Sequence, residues 1–193
     1  MRVFLTILFL IFSIHLCAKA DDIRDFEIEG ISIGKSALDF FSEDEIKNNL
    51  VDWYKDNKFS SFQIDKSQNP DIFKTYDNIE VSFLTNDKNY KIVQIAASIS
   101  VKKKNCKKKM KEIENDVSSI FKDYVRSEST INHPVDKSNK SKVIGIYYDF
   151  KSNRDVFAIQ CYIMSKESNY PSGLKLNIAK NKFSTWLSTV AYN

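Results

Sequence analysis

The stretch Lys102–Tyr124, KKKNCKKKMKEIENDVSSIFKDY, constrains this chain most. Its apolar residues are Cys106, Met110, Ile113, Val117, Ile120, Phe121 and Tyr124. Spacings of three and four line one face of an α-helix and predict one long helix over about 103–124. Such a helix must lay its stripe on another layer. The flanking runs supply a sheet. Asn78–Leu84 alternates Ile79, Val81 and Phe83 with Glu80 and Ser82. Tyr90–Val101 places Val93, Ile95, Ala97, Ile99 and Val101 on one face, and Thr85–Asn89 suits a hairpin loop between the two. After the helix, Val143–Phe150 and Asp155–Met164 read as a second hairpin across Lys151–Arg154.

The rest of the chain adds shorter elements. Asp21–Ile33 suggests a strand ending near Gly30, and Lys35–Phe41 a helical turn with Leu38 and Phe41 inward. Ser42-x-x-Glu45 is a capping box, with Phe41 and Ile46 as its hydrophobic staple. The helix it starts should bury Ile46, Leu50, Trp53 and Tyr54 and end near Asp56. Phe59, Phe62 and Ile64 suggest a strand. Ser127–Ser141 is polar, without periodicity, and reads as a long loop. Leu174–Ile178 suggests a last strand, and Lys182–Ser188 a helix burying Phe183, Trp186 and Leu187. The expectation is an α+β domain spanning 21–193. It is a mainly antiparallel sheet, with the long helix and an N-terminal helix pair packed on one face.

Residues 1–20 pair Arg2 with an apolar run, Val3–Leu16, and a small-x-small site, Ala18-Lys19-Ala20. That is the pattern of a secretory signal peptide cleaved near Ala20. The run is short for a membrane-spanning helix. A lipidated Cys17 is the competing reading, for which Ile14-His15-Leu16 is a poor match. The expected location is periplasmic or secreted. Cys106 and Cys161 then meet an oxidising compartment, and both lie on apolar faces. A disulfide between them is expected, with two buried thiols as the alternative.

Little in the exported part points to familiar chemistry. Its only histidine is His133, beside Pro134 in the polar loop, so a Ser-His-Asp triad is not expected. Gly34-Lys35-Ser36 lacks the upstream glycine of a phosphate loop, because Glu29 stands there. Asp25, Glu27 and Glu29 share a strand face but have no further ligands nearby, so neither a metal nor a cofactor is expected. The 25 acidic residues leave a carboxylate-based envelope hydrolase open without naming a pair. Of 29 Lys and Arg, Arg2 and Lys19 leave with the leader. The remainder nearly balances the acids, which implies no nucleic-acid partner. One local excess stands out: Lys102, Lys103, Lys104, Lys107, Lys108, Lys109 and Lys111. It reads either as a solvated face or as a patch for anionic membrane or envelope polymer.

The segment DFEIEGISIGKSALDFFSEDEIKNNL carries Gly30-Ile31-Ser32-Ile33-Gly34 and Phe41-Ser42-Glu43-Asp44-Glu45-Ile46. It resembles the opening of an uncharacterised family of small secreted bacterial proteins. The closing Trp186-Leu187 and Ala191-Tyr192 are similar as well. The resemblance implies export and a single domain, and no activity. The functional expectation is an exported, non-enzymatic protein that binds an envelope protein or polymer through a sheet edge or the 127–141 loop.

Overall fold

The computed structural model describes residues 22–133, 136–168 and 170–192. The expected leader and its cleavage point near Ala20 lie outside the described residues, as does Pro134. The chain opens with a 3-10 turn, Ile23–Asp25, and a ribbon of β1 (Glu27–Ile28) and β2 (Ile31–Ser32). Glu29 and Gly30 connect the two strands with φ of 51° and 80°. Positive φ at both positions is what a tight hairpin requires. The strand expected to end at Gly30 is therefore a hairpin. The Glu29 carboxylate leaves the ribbon and accepts the backbone N–H groups of Lys74, Thr75 and Tyr76.

Eight strands form the main sheet. They are β3 (Leu50–Val51), β4 (Phe59–Asp65), β5 (Asn78–Leu84), β6 (Gln94–Ser100), β7 (Tyr124–Asn132), β8 (Lys142–Phe150), β9 (Val156–Ile163) and β10 (Gly173–Ala179). Their order is β3-β4-β5-β6-β10-β9-β8-β7, and every pairing is antiparallel. The last strand thus sits inside the sheet and joins two meanders. Around it stand α1 (Glu43–Asn48), α2 (Lys103–Ser118) and α3 (Asn181–Thr189).

Alternation divides the sheet into two faces. Phe62, Val81, Ile95, Leu176, Ile159, Ile146 and Tyr148 lie on the apolar face and are buried. The N-terminal segment covers part of that face with Ile23, Ile28, Ile31, Phe41 and Ile46. Helix α2 lies over β9 and β10 and contributes Cys106, Met110 and Val117 to the same core. The sulfurs of Cys106 and Cys161 stand 2.06 Å apart, at disulfide distance, and tie α2 to β9. Glu114 is also buried on α2, where it accepts from Lys111 of the same helix and from Arg126 Nε of β7 at 2.7 Å.

Several expectations need correction. The helix expected over 103–124 stops at Ser118. The Ser118 and Ser119 hydroxyls bond back to the carbonyls of Asn115 and Asp116. The Ile120 and Phe121 amides close on the Val117 carbonyl. Phe121 then enters a ring cluster with Phe26, Tyr148, Phe150 and Phe157, and Asp123 turns the chain at φ 49°. The N-terminal helix pair is a 3-10 turn, Ala37–Asp39, and the six-residue α1. Its capping box forms as expected. The helix ends because the Asn49 carbonyl is taken by the Gln63 N–H and Leu50–Val51 pairs with β4. Leu50, Trp53 and Leu38, expected inside, are exposed. Residues 127–132 of the expected 127–141 loop belong to strand β7, paired along its length with β8. Residues 136–141 are held by Asp136, which accepts from Ser138, Ser141 and Ser165. These donors hold its carboxyl well below the ordinary range. Helices also cover both faces, because α3 packs Phe183 and Trp186 on the face opposite α2.

The sulfurs belong to residues 55 positions apart. Cross-linking a loop of that length restricts the unfolded chain by about 4 kcal/mol. The Cys106→Ala/Cys161→Ala double variant is expected to lose about that much in urea unfolding. An unchanged unfolding midpoint would contradict the tie.

Candidate functional site

The second face of the sheet carries polar side chains that are buried all the same. Ser61, Ser82 and Gln94 are at most 3% exposed, and Glu80 is 6% exposed. Buried polar groups need partners, and here they find one another. Ser61 and Ser82 hydroxyls lie 2.6 Å apart, and Ser82 donates to Gln94 Oε1 at 2.6 Å. Gln94 Nε2 donates to Asn177 Oδ1 at 2.8 Å. Four strands are thereby stitched by side chains above their backbone ladder.

At the next position Lys175 of β10 donates to Glu80 of β5 at 2.9 Å. Strand β6 lies between them, with Ala96 opposite Glu80 and Ser98 opposite Lys175. Those two short side chains leave the ion pair room to cross the strand. Burial works against the charge on Lys175, yet the attraction of Glu80 outweighs it and holds the ammonium pKa above its ordinary value. Burial, reinforced by the Glu80 charge, raises the Tyr54 phenol, and burial raises that of Tyr162. Further along, Gln160 Nε2 donates to Tyr147 Oη at 3.2 Å. The Tyr147 ring lies against Gly145 and occupies the space a Cβ there would need.

Helix α3 covers only one end of this face. Phe183 and Trp186 pack there with Phe59 and Tyr54, and Trp186 Nε1 donates to Asp56 at 2.5 Å. Asp155, in the turn before β9, fixes the start of α3 by accepting from the Asn181 N–H and Lys180 Nζ, both at 2.8 Å. The uncovered end is a cavity of about 680 Å³, adjoined by a more polar one of about 290 Å³. Trp53, Asn78, Ser98, Tyr162, Lys175 and Tyr192 line both. Asp52, Asp77, His133 and Tyr170 are among the further residues that line the outer one. Three of its aromatics are exposed: Trp53 is 44%, Tyr192 57% and Tyr170 60% exposed.

The alternation of β5 sets Glu80 and Ser82 opposite its apolar face, and His133 falls in the polar loop. His133 is half-buried at the cavity wall, edge-on to Tyr162 with ring centres 5.7 Å apart, and burial lowers its pKa. Trp53, expected in the core, is on the rim. The period-two pattern of Gln160/Tyr162 and Lys175/Asn177 could have marked this face. The neighbouring of β10 with β6 was the missing piece.

The seven lysines do not share this cavity. All are exposed, Lys102 at the N-cap of α2 and the other six on the helix. Lys108 and Lys109 approach Glu112, and Lys111 bonds Glu114. This partly neutralises the C-terminal half of the run. Among the described residues no three His, Cys, Asp or Glu side chains are grouped to hold a metal ion, and no helix is long and apolar enough to cross a membrane.

Fold and cavity define an α+β protein with a half-covered polar sheet face. Comparison with family models, curated proteins and solved structures gave no match for this chain.

Lys175→Met leaves Glu80 buried without its partner and is expected to cost about 3 kcal/mol in denaturant unfolding. Adding Glu80→Gln should recover most of the loss. The folded-state pKa of Lys175 is raised. The wild-type advantage should therefore be full below the ordinary lysine range and fade as pH rises through the raised value. A single variant as stable as the double would contradict this.

Proposed function

We propose that this is an exported binding protein, without catalytic turnover, whose half-covered sheet face holds a saccharide unit of an envelope polymer. One observation carries the reading: exposed aromatic side chains and polar side chains of the sheet line one cavity. A sugar ring presents C–H faces that stack on aromatic rings, and hydroxyls that both donate and accept. Trp53, Tyr170 and Tyr192 supply the first surface, and Asn78, Ser98 and Lys175 the second. The Glu80–Lys175 pair balances its own charge. That favours a neutral ligand over a strongly charged one, since an ionic ligand would have to break the pair. The outer cavity is of the size that takes a small ligand. The leader pattern and the resemblance to small secreted proteins support export.

A panel of neutral and N-acetylated mono- and disaccharides, titrated into the purified protein by calorimetry, tests this. Saturable binding is expected for at least one sugar, weakened about tenfold or more by Trp53→Ala. The exposed substitution Lys108→Gln should leave it unchanged. Binding of none, or binding indifferent to Trp53, would overturn the reading. Asp52 and Asp77 line the same cavity, which favours a glycan hydrolase as the second reading. Turnover of the bound sugar that Asp52→Asn or Asp77→Asn abolishes would select it.

A further inference from the structure

Strand β7 ends the sheet and pairs only with β8 among the described strands. The bonds flanking its ladder define which way its backbone points. The Lys151 N–H donates to Asp123, and the His133 N–H donates to Ser141. With Tyr124 opposite Phe150 and Asn132 opposite Lys142, the odd-numbered residues of β7 face β8. The N–H and C=O groups of Tyr124, Arg126, Glu128, Thr130 and Asn132 point outward. The strand is nine residues long, about 30 Å of edge. Within it there is no proline and no lysine, the residues that commonly protect an edge. Val125 and Ile131 are more than half exposed.

We infer that two copies of this chain pair antiparallel through β7, with a two-fold axis at Ser127. The charges on the strand favour that register. Arg126 is fixed by Glu114 and bonds Glu128 of its own strand. With the axis at Ser127, Arg126 lies opposite Glu128 of the second copy, and Tyr124 lies opposite Thr130. An axis at Glu128 would set that carboxylate against its own copy, and an axis at Arg126 that guanidinium against its own, which is unfavourable directly across a ladder. The Ser127 register pairs only outward-facing residues and closes about eight backbone hydrogen bonds. It also forms two cross-strand ion pairs and two aromatic–β-branched pairs. Two eight-stranded sheets become one continuous sheet. Growth stops there, because the opposite edge, β3, is only two residues long. The assembly is a closed pair rather than a filament.

Sedimentation of the purified protein at tens of micromolar is expected to give twice the chain mass. Two variants should give the monomer with an unchanged circular dichroism spectrum. Thr130→Pro removes an outward N–H while leaving the β8 ladder whole. Glu128→Lys sets like charges opposite Arg126. Hydrogen exchange of the wild type should protect the amides of Arg126, Glu128 and Thr130, and Thr130→Pro should speed exchange at the first two by tenfold or more. A wild type that stays monomeric overturns the pairing and leaves the edge to another partner. A dimer that survives both variants, or outward amides that exchange as fast in the dimer as in the monomer, overturns the register.

Discussion

The structure depends on the double pairing of β10. This seven-residue strand bonds to β6 on one side and β9 on the other, residue for residue from Gly173 to Ala179. Without it the chain holds two separate antiparallel meanders, β3 to β6 and β7 to β9, joined by α2. With it they are one sheet. The strand lies near the C-terminal end of the chain, so the central pairing completes last in sequence order. Such long-range pairing closes large loops and sets a high entropic cost on folding. The disulfide between α2 and β9 offsets part of that cost by limiting how far the second meander can stray from the linking helix.

The same strand divides the molecule's two chemistries. Leu174, Leu176 and Ile178 point to the apolar core, where α2 and the N-terminal segment cover them. Lys175 and Asn177 point the other way, into the polar array of Glu80 and Gln94. A sheet with one polar face usually shows it to water. Here α3 and the segment around Trp53 shield part of that face, and the polar groups satisfy one another. What remains uncovered is a cavity lined by strand side chains and exposed aromatics. A site on paired strands keeps its groups in place more firmly than one on loops.

The sequence made some of this legible and hid the rest for physical reasons. The stripe of Cys106, Met110, Ile113 and Val117 announced a one-faced helix, and the alternation through Ile79, Val81 and Phe83 announced a strand. Both signals arise from burial on one side. Strand β7 gave no such signal, because Val125, Ser127, Glu128 and Ile131 are all exposed and backbone pairing alone defines it. Leu50 and Trp53 matched a helical stripe only because the capped helix before them was extended past its true end at Asn48. The cavity was hidden most deeply. Glu80 and Lys175 are 95 positions apart, and nothing local places β10 beside β6. Pattern gives the face of a strand, but the order of strands is set by packing of the whole.

Residue-resolved native-state hydrogen exchange is the most direct test of the role assigned to β10. If that strand unites the halves, the Leu176 and Ile178 amides open only when the whole protein unfolds. Their opening free energy should then match the unfolding free energy from denaturant, and exceed that of amides in the edge strand β3. Exchange of these two amides through a local opening, while β5 and β8 stay protected, would contradict the account.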